Sequence, residues 1–490
     1  MNQDNGGIIG KINTPTTSVA SGVWSIEQQF EAQSSSTWPL AFPQTTIANS
    51  CRFDDASSDN LSRTFSGSST SNRILTISCW YKKVENGISQ YIFDGGNSSG
   101  NENALSFNTD DEFLFGQYNG SSDDFAMATD AKCRDVGAWY HLVAAIDTTQ
   151  STQADRLKMY INGNEQSIHA GTQVPQNLDL FTLGASTKYL GRPVWTSSQR
   201  RLNGYLAEFY LIDGQQLTPT SFGAFNPVTN IWEPIQYTGT FGNYGFKLDF
   251  TDSSALGADV SGNSNNFTVN NLTSIDQSTD TCSNNFATLN SLDKPGAGNL
   301  PGFAEGNLHY NKTATGSGNN SQANSTIAVN TGKWFFEIKA LDSNAIVVGI
   351  DNADNPTYDS HGNSISSSDG GIAYYNNGQK IVYGTSSSYG DSWTTNDIIG
   401  IAINLDDNEI TFYKNGSSQG AISITTTGIN YRPAIMNNGY NSTSSAYMNF
   451  GNPPFSISSG NADANGFGNF EYAVPSGYFA LCTKNLSEFG

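Results

Sequence analysis

Residues 397–416 read DIIGIAINLDDNEITFYKNG. An apolar run from Ile398 to Leu405 stops at Asp406. A second run, Ile410 to Tyr413, ends on Asn415-Gly416. Short runs bounded by Asn, Asp and Gly read as strands, not helices. Asn-Gly tolerates positive φ at both central positions of a two-residue turn, which makes this a hairpin signal. The device recurs at Leu157–Ile161 before Asn162-Gly163, and at Tyr374-Tyr375 before Asn376-Asn377-Gly378. The run Trp139–Asp147 is a further strand. Helical periodicity is hard to find anywhere, so the chain is all-β.

Composition bounds the rest. A chain of 490 residues corresponds to about three units at ~150 residues per domain. Charged residues make up 14%, against ~25% in ordinary globular proteins. Ser, Thr, Asn and Gln fill the gap. Aromatic content of 12% argues against generic disorder. No apolar stretch approaches the ~18 residues of a membrane-crossing helix. Met1–Gly10 has neither a basic region nor an apolar core, so no Sec-type export is expected. A net charge of −21 repels nucleic acid and anionic membranes, and neither is expected as a partner. The five cysteines show no CxxC spacing and the four histidines are scattered, which predicts reduced thiols and no zinc site.

Composition also sets boundaries. Residues 1–45 carry Trp24 and Trp38 without strand pattern and are read as an extended anchoring segment. Residues 46–235 and 306–455 are strand-rich, each long enough for a two-sheet core. Residues 236–305 are a connector with one clear strand, Tyr244–Phe250, and a linker-like loop, Ser291–Pro301. Residues 456–490 are a C-terminal tail. The expected fold is two antiparallel, jelly-roll-type β-sandwiches in tandem behind an extended N-terminal segment.

Two resemblances follow. Ile77–Tyr81, Gly137–Val143, Leu157–Gln166, Leu183–Ala185 and Leu202–Ile212 stand in the order of a laminin-G-like, concanavalin-type domain. Gly332–Ile338, Val347–Ile350, Gly371–Tyr374, Asp397–Asp406, Ile410–Gly416 and Tyr431–Ile435 resemble a SPRY domain. The whole layout resembles virion proteins of tailed bacteriophages, marine ones especially. Ile8–Pro15, Ala20–Ser25, Asp249–Asp252, Asp259–Asn263 and Val474–Cys482 carry that likeness.

The concanavalin-type fold also hosts glycoside hydrolases, whose chemistry needs two carboxylates flanking the scissile bond. Glu208 and Glu337 are isolated on their strands and read as structural. Asp110-Asp111-Glu112 and Asp123-Asp124 are runs suited to loops. No G-x-S-x-G, HExxH or phosphate-binding loop occurs, so no catalytic residue is assigned and the protein is expected not to be an enzyme. No cofactor is expected. Calcium at Asp94, Asp110 and Asp111 is left open without a metal site being assigned.

Glycan binding needs aromatic faces and amides. Tyr189, Arg192 and Trp195 lie in a loop interrupting the first sandwich. Tyr358, Tyr389, Trp393 and Tyr440 lie in loops that resemble the SPRY binding face. The resemblance therefore implies a non-enzymatic virion protein, either a tail fibre, an appendage or a decoration protein. It would be assembled in the host cytoplasm and display its sandwiches for host attachment, with a host-surface glycan as the expected ligand. Residues 1–45 would bind other virion proteins, and a homo-oligomer is left open. The alternatives are a purely structural capsid or tail cementing protein and a polysaccharide depolymerase.

Overall fold

The computed structural model describes residues 27–28, 45–97, 100–195, 200–227, 229–293, 300–313, 321–354, 365–366, 368, 371–425, 428–439 and 442–490. Apart from 27–28 and 45, the expected anchoring segment lies outside the described residues, as do Trp24 and Trp38. The chain divides into two compact units. One comprises residues 1–46 and 220–237, with a two-stranded ribbon of Gly223–Phe225 and Trp232–Pro234. The other comprises 47–219 and 238–490 and holds both sandwiches.

The hairpin reading holds in the backbone. Asn162 and Gly163 have φ of 48° and 79°, and Asn415 and Gly416 have 49° and 78°. Both pairs are left-handed at both positions, as a two-residue hairpin turn requires. At Asn377-Gly378 only the glycine has positive φ, at 91°.

In the first sandwich, one sheet runs in the order Asn164–Glu165, Leu157–Ile161, Trp139–Asp147, Ile74–Lys83, Gly204–Asp213, Ser50–Phe53 and Gln277–Ser278. Phe246–Leu248 also pairs on Gly204–Asp213. The facing sheet runs Ile168–Thr172, Asp123–Lys132, Glu112–Tyr118, Glu102–Phe107, Gln90–Asp94, Thr187–Leu190, Asn60–Thr64 and Thr268–Asn270. Alternate side chains from both sheets meet in one core that includes Ile77, Phe93, Phe107, Phe115, Phe209 and Phe246. The rings of Phe209 and Phe246 stack with centroids 5.7 Å apart.

The connector does more than link. Its strands Phe246–Leu248, Thr268–Asn270 and Gln277–Ser278 complete both sheets of the first sandwich. The strand expected over Tyr244–Phe250 is shorter, and Phe250, two residues beyond its end, has φ 56°.

The second sandwich has one sheet ordered Gly302–Ala304, His309–Lys312, Ser444–Asn449, Lys333–Asp342, Ile398–Asn404, Glu409–Lys414 and Ser417–Ser423. The other runs Ser321–Asn324, Tyr431–Asn437, Ile346–Asn352, Gly371–Tyr375, Gln379–Val382 and Thr385–Ser388. The quoted stretch forms the strands Ile398–Asn404 and Glu409–Lys414, paired from Ile399–Lys414 to Asn404–Glu409. The tail is built in as well. Phe479–Ala480 pairs in parallel with Lys333–Asp342, and a helix, Thr483–Phe489, closes the chain.

The two sandwiches meet through buried polar contacts. Tyr205 donates to the Gly306 carbonyl at 2.9 Å, and Asn307 Nδ2 donates to the Val84 carbonyl at 2.7 Å. Arg52, wholly buried, reaches Glu305 at 3.1 Å and the Ile275 carbonyl at 3.0 Å. All five cysteines are free, and four of them are buried.

Candidate functional site

Three small residues from neighbouring strands fall in register on the second sheet of the first sandwich. Ala104 pairs with Gly116, and Gly116 pairs with Ala126. Small side chains at one level leave a trough in the sheet face. Its volume is about 210 Å³, and Tyr91, Glu102, Tyr118, Asp123 and Phe125 wall it. Tyr118 is 36% exposed at the rim. The Tyr91 hydroxyl donates to Glu102 Oε2 at 2.6 Å.

The loop after Thr187–Leu190 reaches this region. Arg200 Nη1 donates to the Tyr91 hydroxyl at 3.3 Å, while its guanidinium lies 5.6 Å from the Trp195 ring. Arg192 covers the Tyr189 ring at 4.4 Å. Such cation–π pairs hold long side chains in place at a half-exposed surface. Tyr189 points outward because Lys188 and Leu190 point in.

A buried carboxyl group positions this loop. Asp94 accepts from the backbone N–H of Val194 at 2.8 Å, Gly96 at 2.9 Å and Asn103 at 3.1 Å. Burial raises its carboxyl to about 6, against the pull of those three donors. Lys188 Nζ donates to the carbonyls of Gly95 at 2.7 Å and Phe181 at 2.6 Å. Burial lowers its ammonium to about 7, with Asp94 opposing.

Asp94 is thus occupied by backbone donors. Asp111 pairs with Lys83 and with Arg134 at 3.3 Å, and Asp110 lies 3.5 Å from Lys132. Among the described residues no group of three or more His, Cys, Asp or Glu side chains could hold a metal ion.

The second sandwich arranges its candidates differently. Trp393 is only 2% exposed and belongs to the core, with its ring 6.1 Å from Tyr374. Its backbone N–H donates to the Asn376 carbonyl at 2.9 Å, which folds the loop inward and takes the indole away from any external ligand. Tyr389 is half-buried, edge-on to Tyr374 at 5.4 Å, and its hydroxyl donates to the Gly420 carbonyl. Tyr358 and Tyr440 lie outside the described residues. The structure therefore places Tyr189, Arg192 and Trp195 in one neighbourhood and Tyr389 with Trp393 in another. Sequence reading missed Tyr91, Glu102, Tyr118, Asp123 and Arg200. The available signal was the small residues Ala104, Ser106 and Gly116 set among the larger apolar residues of Glu102–Phe107 and Glu112–Tyr118.

Comparison with known proteins agrees with this architecture. Residues 55–220 match the family model of the concanavalin A-like lectin/glucanases superfamily, and residues 333–453 match that of the SPRY domain. The E3 ubiquitin-protein ligase RKP of Arabidopsis thaliana is 30% identical over 141 residues, covering 28% of this chain and 10% of that protein. The chain thus spans about a tenth of the length of that curated relative. Among solved structures, the SPRY domain of human HERC1 is similar at 17% identity and a TM-score of 0.25, covering 29% of this chain and 87% of that one. The heptameric SAP-like pentraxin of Limulus polyphemus is similar at 18% identity and a TM-score of 0.24, covering 36% and 76%.

Proposed function

We propose that this chain is a non-enzymatic recognition protein of a tailed-bacteriophage virion, a tail fibre, appendage or decoration protein, and that it binds host-surface glycan. The observation that carries the recognition role is the trough over Ala104, Gly116 and Ala126. It sets the exposed Tyr118 ring beside the carboxylates of Glu102 and Asp123 on a rigid sheet. Sugar rings stack on aromatic faces while their hydroxyls bond carboxylates and amides, and preformed sites with few polar groups suit such ligands. The phage assignment rests on the resemblance of Ile8–Pro15, Ala20–Ser25 and Val474–Cys482 to virion proteins. In this reading residues 1–45 bind other virion proteins, and no cofactor takes part.

A second reading, a polysaccharide depolymerase, draws on Glu102 and Asp123 lining the same trough. Incubation with host polysaccharide separates the two: release of reducing ends supports the depolymerase, whereas binding without release supports recognition. The virion assignment is tested by proteomics and cryo-EM of purified particles. The chain is expected on the exterior with the trough facing solvent. Absence from particles contradicts the assignment, and a trough covered by neighbouring subunits indicates cementing.

A further inference from the structure

We propose that Lys82 and Asn285 become joined by an intramolecular isopeptide bond, with Asp280 as the proton carrier. Lys82 stands on the strand Ile74–Lys83, and Asp280 and Asn285 follow the connector strand Gln277–Ser278. Lys82 Nζ lies 2.6 Å from Asp280 Oδ2, 2.7 Å from Asn285 Oδ1 and 3.1 Å from the Phe286 carbonyl. An amine, a carboxamide and a carboxyl group thus converge on one point.

The setting favours reaction. The side chains of Lys82 and Asp280 are both fully buried. The Tyr205 ring lies 5.7 Å from Nζ. Trp139 Nε1 donates to Asp280 Oδ1 at 3.0 Å, which fixes the carboxyl group. Asn285 Nδ2 donates to the Gly137 carbonyl at 2.7 Å, so the amide oxygen faces the lysine and the carbonyl carbon is the next atom beyond it. Holding two reacting groups in contact replaces a bimolecular encounter with an intramolecular one. A buried ion pair also carries a desolvation cost that a neutral amide does not.

The step balances with no outside reactant. Lys82 Nζ gives a proton to Asp280, and the free amine attacks Asn285 Cγ to form the N–C bond. The Cγ–Nδ2 bond breaks, and a second proton from the attacking nitrogen passes to Nδ2, which leaves as ammonia. With the proton held on Asp280 it departs as ammonium. Lys312 offers an internal comparison. Its Nζ is buried and 3.0 Å from Asn437 Oδ1, but its other partner is the Gly439 carbonyl, not a carboxylate. No bond is expected there.

The test is denaturing mass spectrometry of the purified full chain. The expected result is an intact mass short of the sequence by one ammonia, with a branched proteolytic peptide joining Lys82 to Asn285. Asn285→Ala and Asp280→Ala should both restore the missing mass. A full-length mass overturns the proposal whatever the variants do. So does an ammonia loss mapped elsewhere, or a water loss mapped to Lys82 and Asp280.

Discussion

At the scale of single residues, aromatic and carboxylate side chains of similar sequence context have different fates. Trp393 and Tyr189 both read as loop aromatics, yet Trp393 is core, while Tyr189 lies half-buried on the strand Thr187–Leu190 under Arg192. Trp393→Ala should cost about 3–5 kcal/mol of stability, as for large aromatic truncations in cores. Tyr189→Ala should stay within about 1 kcal/mol, because it loses one half-exposed cation–π contact. Chemical denaturation of both variants checks this. Glu337 carries a pH signature. It accepts from Glu471 N–H at 3.0 Å, Tyr472 N–H at 2.9 Å and Asn449 Nδ2 at 3.1 Å, and burial raises its carboxyl from 4.5 to about 7. Between those values the folded chain holds a proton that the unfolded chain has lost. The contribution of this group is therefore fully present below about 4.5 and is lost as pH rises through about 7. The unfolding free energy of the wild type should fall relative to that of Glu337→Gln between pH 5 and pH 8, by an amount on the order of 2 kcal/mol, and its melting temperature should fall with it. Parallel curves would show that Glu337 does not titrate there.

At the scale of elements, strands and hairpins were legible because their signals are local. Alternation, apolar runs and Asn-Gly pairs located Leu157–Ile161 and Glu409–Lys414 directly. The trough was not legible. Ala104, Gly116 and Ala126 come from three strands, and only the cross-strand register puts them at one level. The connector and tail misled for a related reason. Their Gly, Asn and Ser content reads as linker, yet Asp463 accepts from Ala480 N–H at 2.9 Å and Asn485 Nδ2 at 2.8 Å, which pins the tail. One glycine marks a close approach between the two sandwiches. Gly306 has φ 64°, and a Cβ there would lie 2.2 Å from the Tyr205 hydroxyl. Gly306→Ala should therefore destabilise by more than the ~1–2 kcal/mol of a left-handed backbone alone. A melting temperature unchanged from wild type would contradict this close approach.

At the scale of the whole molecule, the low charge and high uncharged polarity now have a place. Two sandwiches bury their aromatic residues, and edge strands such as Thr385–Ser388 and Ser417–Ser423 present Ser and Thr outward. Since connector strands complete the first sandwich, and buried contacts such as Tyr205 to Gly306 join it to the second, residues 47–219 and 238–490 should unfold together. Calorimetry should show one main transition for them, and two well-separated ones would contradict the coupling. The central claim is recognition of glycan through the first sandwich. It is tested most directly by binding of the full chain to an array of bacterial envelope polysaccharides, alongside the Tyr118→Ala/Trp195→Ala double variant with its fold verified by circular dichroism. The account predicts binding to at least one polysaccharide, weakened about tenfold or more in the variant, equivalent to about 1.4 kcal/mol. No binding across the array, or equal binding by wild type and variant, would contradict it.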